Sequence, residues 1–426
     1  MPALEALVRD IPAHVDLMEF TGTAGQGAVG GSYREDGCRA AGSNRELHQA
    51  LFDVARSSTH RVGVVLRASR TGLREVDVID LPESVRYDVG EIVGDLILVD
   101  GAVPALYRHG PDTSIGVRPV APSADPDALA RLVHRQLPGA QAATSAQITA
   151  AERRLGVPLT DEVRALFGAA AEGEIVVGGE DGFYGMELIP LDDEETRRLF
   201  LPEARMSEWC FGATETLDPD PQGKIQALGA TALWFPVGHD WGGNAYAVDL
   251  TPAQNGHRGQ VVFLDHERNA GATFVSESFT EVLVHGREGE TTGPVIGAAT
   301  AHVNDRNGVS IADAAANHDL EVVSLGLLDD PVDLAPLLDR PGIRTITSGP
   351  GTLAEPRQLT RFPGLEYVSA GVAEWMRLLD GGPLPPTLLA ARVRGDDDDA
   401  LVAVIATANE VLRRWNRPLI TVTRLS

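Results

Sequence analysis

Two short stretches concentrate the side chains that could do chemistry. "FPVGHDWGGNAYAVDL", from Phe235 to Leu250, holds His239, Asp240, Trp241 and Asp249, and "LDHE", from Leu264, adds Asp265, His266 and Glu267. Both clusters follow strand-like apolar runs. If those strand ends were neighbours, His239, Asp240, Asp265, His266 and Glu267 could converge, a donor set suited to zinc or to a pair of metal ions. Nothing in the spacing imposes that convergence, because the chain has no His-Glu-x-x-His and no Cys-x-x-Cys. The same residues also stand where tight turns place Asp, Asn and Gly. In this second reading "HDWGGNAY" is a hairpin turn, with Gly242, Gly243 and Asn244 free to take positive φ angles. Trp241 and Tyr246 then lie either at the rim of a sheet or in its core.

Other candidate chemistry is thinner. Cys210, in "EWCFGAT", has no partner that sequence can place, and no Gly-x-Ser-x-Gly occurs. The glycine-rich "FTGTAGQGAVGGSYREDG" lacks the Gly-Lys-Ser/Thr ending of a phosphate loop and reads as a flexible loop. Asp396 to Asp399 suit the positive end of the helix that follows them, with a metal-binding run as the sharper reading.

The elements that must position these residues are legible in outline. "SNRELHQALFDVARS" has a helical spacing behind Ser43 or Asn44, and "HRVGVVLRA", "REVDVIDL", "GDLILVDG" and "ALYRH" read as strands. Together they predict a small α+β domain over residues 1–120. "VRPVAPSADPDA" reads as a linker and "DPDALARLVHRQL" as a capped helix, assigned together to 121–140. A central domain over 141–288 opens with two helices. "TSAQITAAERRLG" has a cap at Thr144 or Ser145 and Gly156 past its end, and "TDEVRALFGAA" is capped by Thr160. Strands "EIVVGG", "YGMELIPL", "ALWFPVGH", "AYAVDL" and "GQVVFLDH" follow, and "SESFTEVLVHG" closes the domain as a helix. A polar linker is expected over 289–312.

From 313 to 426 the chain has a rhythm. "LEVVSL", "IRTIT", "LEYVS" and "LLAARV" begin at Leu320, Ile343, Leu365 and Leu388, spaced by 23, 22 and 23 residues. That period fits a solenoid unit of one strand and one return, similar to leucine-rich repeats, with ordinary βαβ crossovers as the alternative. The overall expectation is an α+β multidomain protein with a mixed central sheet flanked by helices and an α/β repeat-like C-terminal region.

Charge narrows the classes of function. The chain carries a net charge of −25, and residues 141–288 hold 24 acidic and 10 basic residues, so the middle third supplies −14 of it. A nucleic-acid or membrane-surface binder needs a basic face, and this balance argues against both. Lys224 is the only lysine. The longest apolar run, "ALVAVIATA", is half a membrane span, and the N-terminal stretch does not read as a secretory signal. Two distant cysteines argue against a disulfide framework, and a reducing cytoplasm is the expected location.

With these motifs in place, the middle of the chain resembles the SUKH superfamily, also called the Smi/Knr family. Ile148, Glu152, Leu155 and Gly156 match its opening helix, and Pro158 and Leu159 follow in swapped order. Of the Asn-Gly pair expected after the second helix only Gly173 remains. "GMELIPLDD" resembles the next strand, and "LWFPVGHDWGGNAYAVDL" is similar to the most recognisable segment of the family, with Pro236, Gly238, Asp240, Gly242, Gly243 and Asp249 in place. The resemblance implies a non-enzymatic α+β domain, which binds through an exposed sheet face and loops; no cofactor and no metal are expected. Bacterial members are mostly immunity proteins that neutralise a polymorphic toxin, and fungal relatives act as regulatory scaffolds.

The combined expectation is a cytoplasmic, non-enzymatic immunity protein that binds a basic toxin domain. A regulatory scaffold using the repeat face is the second reading, and a metal-dependent hydrolase on His239, Asp240, Asp265 and His266 is the third. The candidate partner contacts are Asp240, Trp241, Asn244, Tyr184 and Glu267, and the motif residues with structural roles are Gly156, Pro236, Gly238, Gly242, Gly243 and Asp249.

Overall fold

Short apolar runs bounded by Gly, Pro and Asp pair into sheets in the computed structural model. It describes residues 16–25, 28–36, 38–39, 49, 52–53, 62–86, 96–178, 184–201, 209–268, 270–286, 297–306, 308–326, 328–395 and 401–425. The chain is mixed α/β and splits into two compact units, Met1–Ala102 with Ala301–Ser426, and Val103–Thr300.

The first unit begins with β1 (Leu17–Gly25), β2 (Ala28–Glu35), β3 (Cys38–Arg39), β4 (Val62–Ser69) and β5 (Arg74–Asp80), followed by β6 (Val85–Arg86) and β7 (Leu96–Leu98). The glycine-rich segment expected to be a flexible loop is therefore the antiparallel β1–β2 pair, with Gly22 opposite Gly31 and Thr23 opposite Gly30. Backbone pairing carries it where side chains are lacking, because β1 also lies along the buried, valine-rich β4. The helix expected from Ser43 falls largely outside the described residues.

In the second unit, "ALYR" forms α1 (Ala105–Arg108) rather than the expected strand. The run is too short to show a period, and Pro104 before it sets an extended cap from which one helical turn starts. Next come α2 (Pro126–Gln136), α3 (Ser145–Leu155) and α4 (Asp161–Ala169). Their starts follow from side-chain caps: Asp125 accepts from the Ala128 amide, Thr144 and Gln147 form a reciprocal box, and Thr160 accepts from Val163. Gly156, at φ +71°, ends α3. The strands β8 (Glu174–Val177), β9 (Tyr184–Leu188), β10 (Trp234–His239), β11 (Ala245–Asp249), β12 (Val261–Leu264) and β13 (Thr273–Ser276) make an antiparallel meander in the order β13-β12-β11-β10-β9-β8. Short helices α5 (Glu194–Arg198) and α6 (Trp209–Gly212) lie between β9 and β10, and α7 (Phe279–His285) follows β13.

Both faces of this sheet have cores. On one, Ile175, Met186, Phe235, Val237, Tyr246, Val248, Val261 and Phe263 pack with Leu129 and Val133 of α2, Val163 and Phe167 of α4, and Phe279 and Val282 of α7. Hence residues 121–140, expected as linker and helix, belong to the central unit. Gln136 of α2 also closes the outer edge of β8, accepting from the Val176 amide at 2.6 Å and donating to the Val176 carbonyl at 3.1 Å. On the other face Trp234, Ala245, Ala247, Val262, Leu264 and Ala272 are buried with Ile225 and Leu228 from the segment before β10.

The chain then returns to the first unit through β14 (Thr300–Val303), α8 (Ile311–Ala316), β15 (Val322–Leu325), β16 (Thr345–Ser348), β17 (Tyr367–Gly371), α9 (Val372–Leu379), β18 (Ala390–Arg394), α10 (Leu401–Arg414) and β19 (Thr421–Leu425). The stretch 289–312, expected as a linker, thus contains a strand and the start of a helix. β15 to β18 run parallel and in register, Val322–Thr345–Tyr367–Ala390, so the spacing seen in the sequence is that of a parallel ladder. Their inward residues Val323, Ile346, Val368 and Ala391 share a core with Leu334, Leu337, Leu359 and Phe362.

Residues 1–102 are not a domain apart from this ladder. β7 pairs antiparallel with β18, and β19 pairs with β5, where Arg424 grips Asp77 through two bonds of 2.8 and 2.9 Å. Pairings between residues some 290 to 350 positions apart leave no local mark in a sequence. Asp396 to Asp399 lie outside the described residues. Among the described residues, no helix is long and apolar enough to cross a membrane.

A β-bulge interrupts β10. Pro236 faces Ala247 and Gly238 faces Tyr246, which leaves Val237 as the extra residue and shifts the phase of the strand. A Cβ on Gly238 would sit 2.5 Å from Met186 Cγ and 2.7 Å from the Glu187 carbonyl. Gly238→Ala is expected to cost about 1–3 kcal/mol through this overpacking, read as a lower urea midpoint at unchanged slope.

Candidate functional site

The bulge places His239 opposite Glu187 of β9 and Ala245 of β11, at the end of the sheet. The hairpin beyond it is held by one carboxylate. Asp240 Oδ1 accepts from the amides of Gly242 at 2.8 Å and Asn244 at 3.1 Å, and Oδ2 accepts from Asn244 Nδ2 at 2.7 Å. With its amide nitrogen turned to Asp240, Asn244 points Oδ1 at His266, accepting from the backbone amide at 2.9 Å and from Nδ1 at 2.8 Å. One turn is thereby tied to the next, the β10–β11 hairpin to the loop after β12. Partial burial pushes the Asp240 carboxyl up, but the bonds from Asn244 and Gly242 outweigh it and hold it below the usual carboxylate range.

This network settles the placement of the expected site residues. Positive φ angles fall at Trp241 (+61°) and Gly243 (+93°), not at Gly242 or Asn244. A bulky aromatic in the left-handed region is uncommon and costs about 1–2 kcal/mol. The Asp240 bonds on either side hold it there, and Trp241 is 74% exposed. Its ring meets His239 edge-on, with centroids 4.7 Å apart. Tyr246 is 2% exposed and meets Phe263 edge-to-face in the core. Glu267 is exposed, its amide bonded to Asp265 in a turn. Tyr184 opens β9 at the same end of the sheet.

The metal-centre arrangement does not form. Asp240 and His266 are joined through Asn244, and among the described residues no three His, Cys, Asp or Glu side chains are placed to hold an ion.

Two further groups position the sheet. Asp249 is fully buried, its carboxylate accepting from the Thr251 amide at 2.8 Å and from Gln260 Nε2 at 2.9 Å. Burial pushes its carboxyl up to about 7 against those bonds. Arg197 of α5 is also buried and donates to the carbonyls of Ile189, Pro190, Asp193 and Pro236. Its guanidinium lies 4.8 Å from the Phe235 ring centroid. Desolvation brings it down to about 10, still charged at neutral pH. Sequence alone offers no signal for Arg197 as the clamp on β10, since its partners are backbone carbonyls.

With this geometry in view, similarity to known proteins is informative. Residues 142–285 match the SMI1 / KNR4 family (SUKH-1), so the middle of the chain is a SUKH domain. A glucan synthesis regulatory protein of Neurospora crassa is 36% identical over 63 residues, which is 15% of this chain and 12% of that protein. In this SUKH domain the sheet lacks the open face that the resemblance implies over β10 to β12, because Ile225 and Leu228 cover it. Among the described residues of the sheet and its turns, exposed side chains lie at the hairpin tips and along the β8–β9 margin.

Two measurements check this account. Trp241→Asn is expected to leave stability unchanged or raise it by up to about 1 kcal/mol, because Asn tolerates the left-handed region and little packing is lost. Asp240→Ala should cost about 1–3 kcal/mol in the same urea melts, through loss of charge-assisted hydrogen bonds. The second measurement is pH dependence. Since the folded pKa of Asp249 lies above its unfolded value near 3.8, the native state binds the extra proton between about pH 4 and 7. The contribution of Asp249 to stability is therefore present below about pH 4 and is lost as pH rises through about 7. Melts at pH 4.5 and 7.5 should show this slope, and Asp249→Asn should remove it.

Proposed function

We propose that this chain is a non-enzymatic, intracellular binding protein of the immunity type, which neutralises a toxin by stoichiometric association. The observation that carries the reading is the SUKH-1 match over residues 142–285. Two features support it. The matched region holds most of the excess negative charge, which suits a basic partner, since complementary charge speeds encounter and disfavours wrong partners. The end of the sheet also presents Trp241, an aromatic of the kind that anchors interfaces, on a preorganised turn.

A second reading, regulation through scaffolding, draws on the similarity to the glucan synthesis regulatory protein over 63 residues. The parallel ladder of β15 to β18, which resembles leucine-rich repeats, would then add a second surface.

Co-expression separates the two. Candidate toxins encoded beside this chain are induced in a sensitive host with and without it, and survival is scored. The immunity reading expects rescue and a one-to-one complex on gel filtration. Recovery of several unrelated proteins in a pull-down, with no toxin rescued, would establish the scaffold instead.

A further inference from the structure

The second face of the central sheet is covered over β10 to β12 but open at β8 and β9. There Glu174 is exposed, Val176 is 39% exposed and Glu187 is half-buried. Register sets Glu174 directly opposite Glu187, and Glu187 opposite His239. Like charges facing across a strand pair destabilise a sheet, and no described cation pairs with either carboxylate. The Glu174 carboxylate lies over Gly185, diagonal to it, where a Cβ would come within 2.2 Å of Oε1. The bulge in β10 brings His239 to this same face, and Trp241 stands against His239. This margin thus carries two carboxylates with no described cation partner and ends at an exposed indole.

We propose that this corner, made by Glu174, Glu187, His239 and Trp241, is the docking surface for a basic protein and that it grips an arginine of that partner. A guanidinium stacks flat on an indole and presents a planar fork of donors to carboxylates, whereas an ammonium offers neither. A second copy of this chain is a poor occupant, because each copy would bring the same facing carboxylates and a net charge of −25. The inference rests on the binding-protein reading above and specifies the chemistry of its partner.

The test uses the full chain and two probes of equal charge, hexa-arginine and hexalysine peptides, titrated by calorimetry at about 0.15 M salt, where the Debye length is about 8 Å and diffuse attraction is screened. Hexa-arginine should bind about tenfold more tightly than hexalysine. Trp241→Asn, expected to fold normally, and the pair Glu174→Gln with Glu187→Gln should each weaken it by about tenfold, the loss of one hot-spot contact. Glu194→Gln with Glu195→Gln, on α5, should change it less than twofold. Equal affinity for the two peptides, or an equal loss from the α5 pair, would show a diffuse acidic surface and overturn the proposal. The two levels fail separately. A toxin still neutralised by the corner variants removes the corner and leaves the immunity reading. Peptide binding that maps to the corner, with no toxin rescued, does the reverse.

Discussion

Burial of one sheet on both faces fixes which of its side chains the central unit leaves exposed. From Ala245 to Leu250 every residue is buried, Ala245 and Ala247 with Ile225 and Leu228, Asp249 on Thr251 and Gln260, and the even ones against the helices. A strand covered on both sides reads as a continuous apolar run and not as an alternating one, which is what "AYAVDL" is. Once Ile225 and Leu228 occupy the second face, the exposed side chains of the described sheet lie at the β10–β11 turn and along the β8–β9 margin. The bulge at Val237 then matters beyond its own strand, since it turns His239 toward that margin. Asp240, fixed by the same turn, aims Trp241 outward.

These parts are held by polar groups that found partners inside the protein. Glu162, buried in the first turn of α4, accepts from the amides of Phe279 and Thr280 and so caps α7 across the domain. A carboxylate at a helix start is favoured by the helix dipole as well as by the bonds. Arg197 does the opposite work, a buried cation surrounded by carbonyls, fastening the segment after β9 to the bulge of β10. Neither residue touches the candidate surface. Both limit how far its strands can shift, and a hot spot needs that rigidity to be worth its area.

Local chemistry was legible in the sequence, and distant pairing was not. Thr144, Thr160 and Gly156 stand where caps were read, and the apolar runs of β8 to β12 and β15 to β18 are strands. β13 went unread because "TFVS" is a brief run between polar turns, given its strand character by Val261 to Phe263 beside it. The β1–β2 pair went unread because glycine hides a strand's pattern. The joining of β7 to β18 and of β19 to β5 had no sequence signal at all. At the site, sequence located the turn and its Asp and glycines. It could not say that Trp241, and not Asn244, would take the left-handed angle, because that choice depends on where the Asn244 amide is spent. Nor could it see Glu174 and Glu187 face to face, a consequence of register.

The basic side chains sharpen the meaning of the charge. Lys224, the only lysine, is tied to Glu277 at 2.5 Å and lies over the Phe274 ring, while His257 takes the other Glu277 oxygen at 2.6 Å. Arg197 is spent on carbonyls, Arg344 on Glu321, and Arg424 on Asp77. Lys224, Arg344 and Arg424 neutralise acids within the structure and Arg197 serves carbonyls, while Glu174 and Glu187 have no described cation beside them, so part of the net −25 faces outward there. Such a field speeds the approach of any basic protein and falls with salt over about a Debye length. It cannot by itself choose among basic proteins. Discrimination has to come from a fixed feature at short range, and the indole of Trp241, held by Asp240 beside the paired glutamates, is the described feature with that geometry.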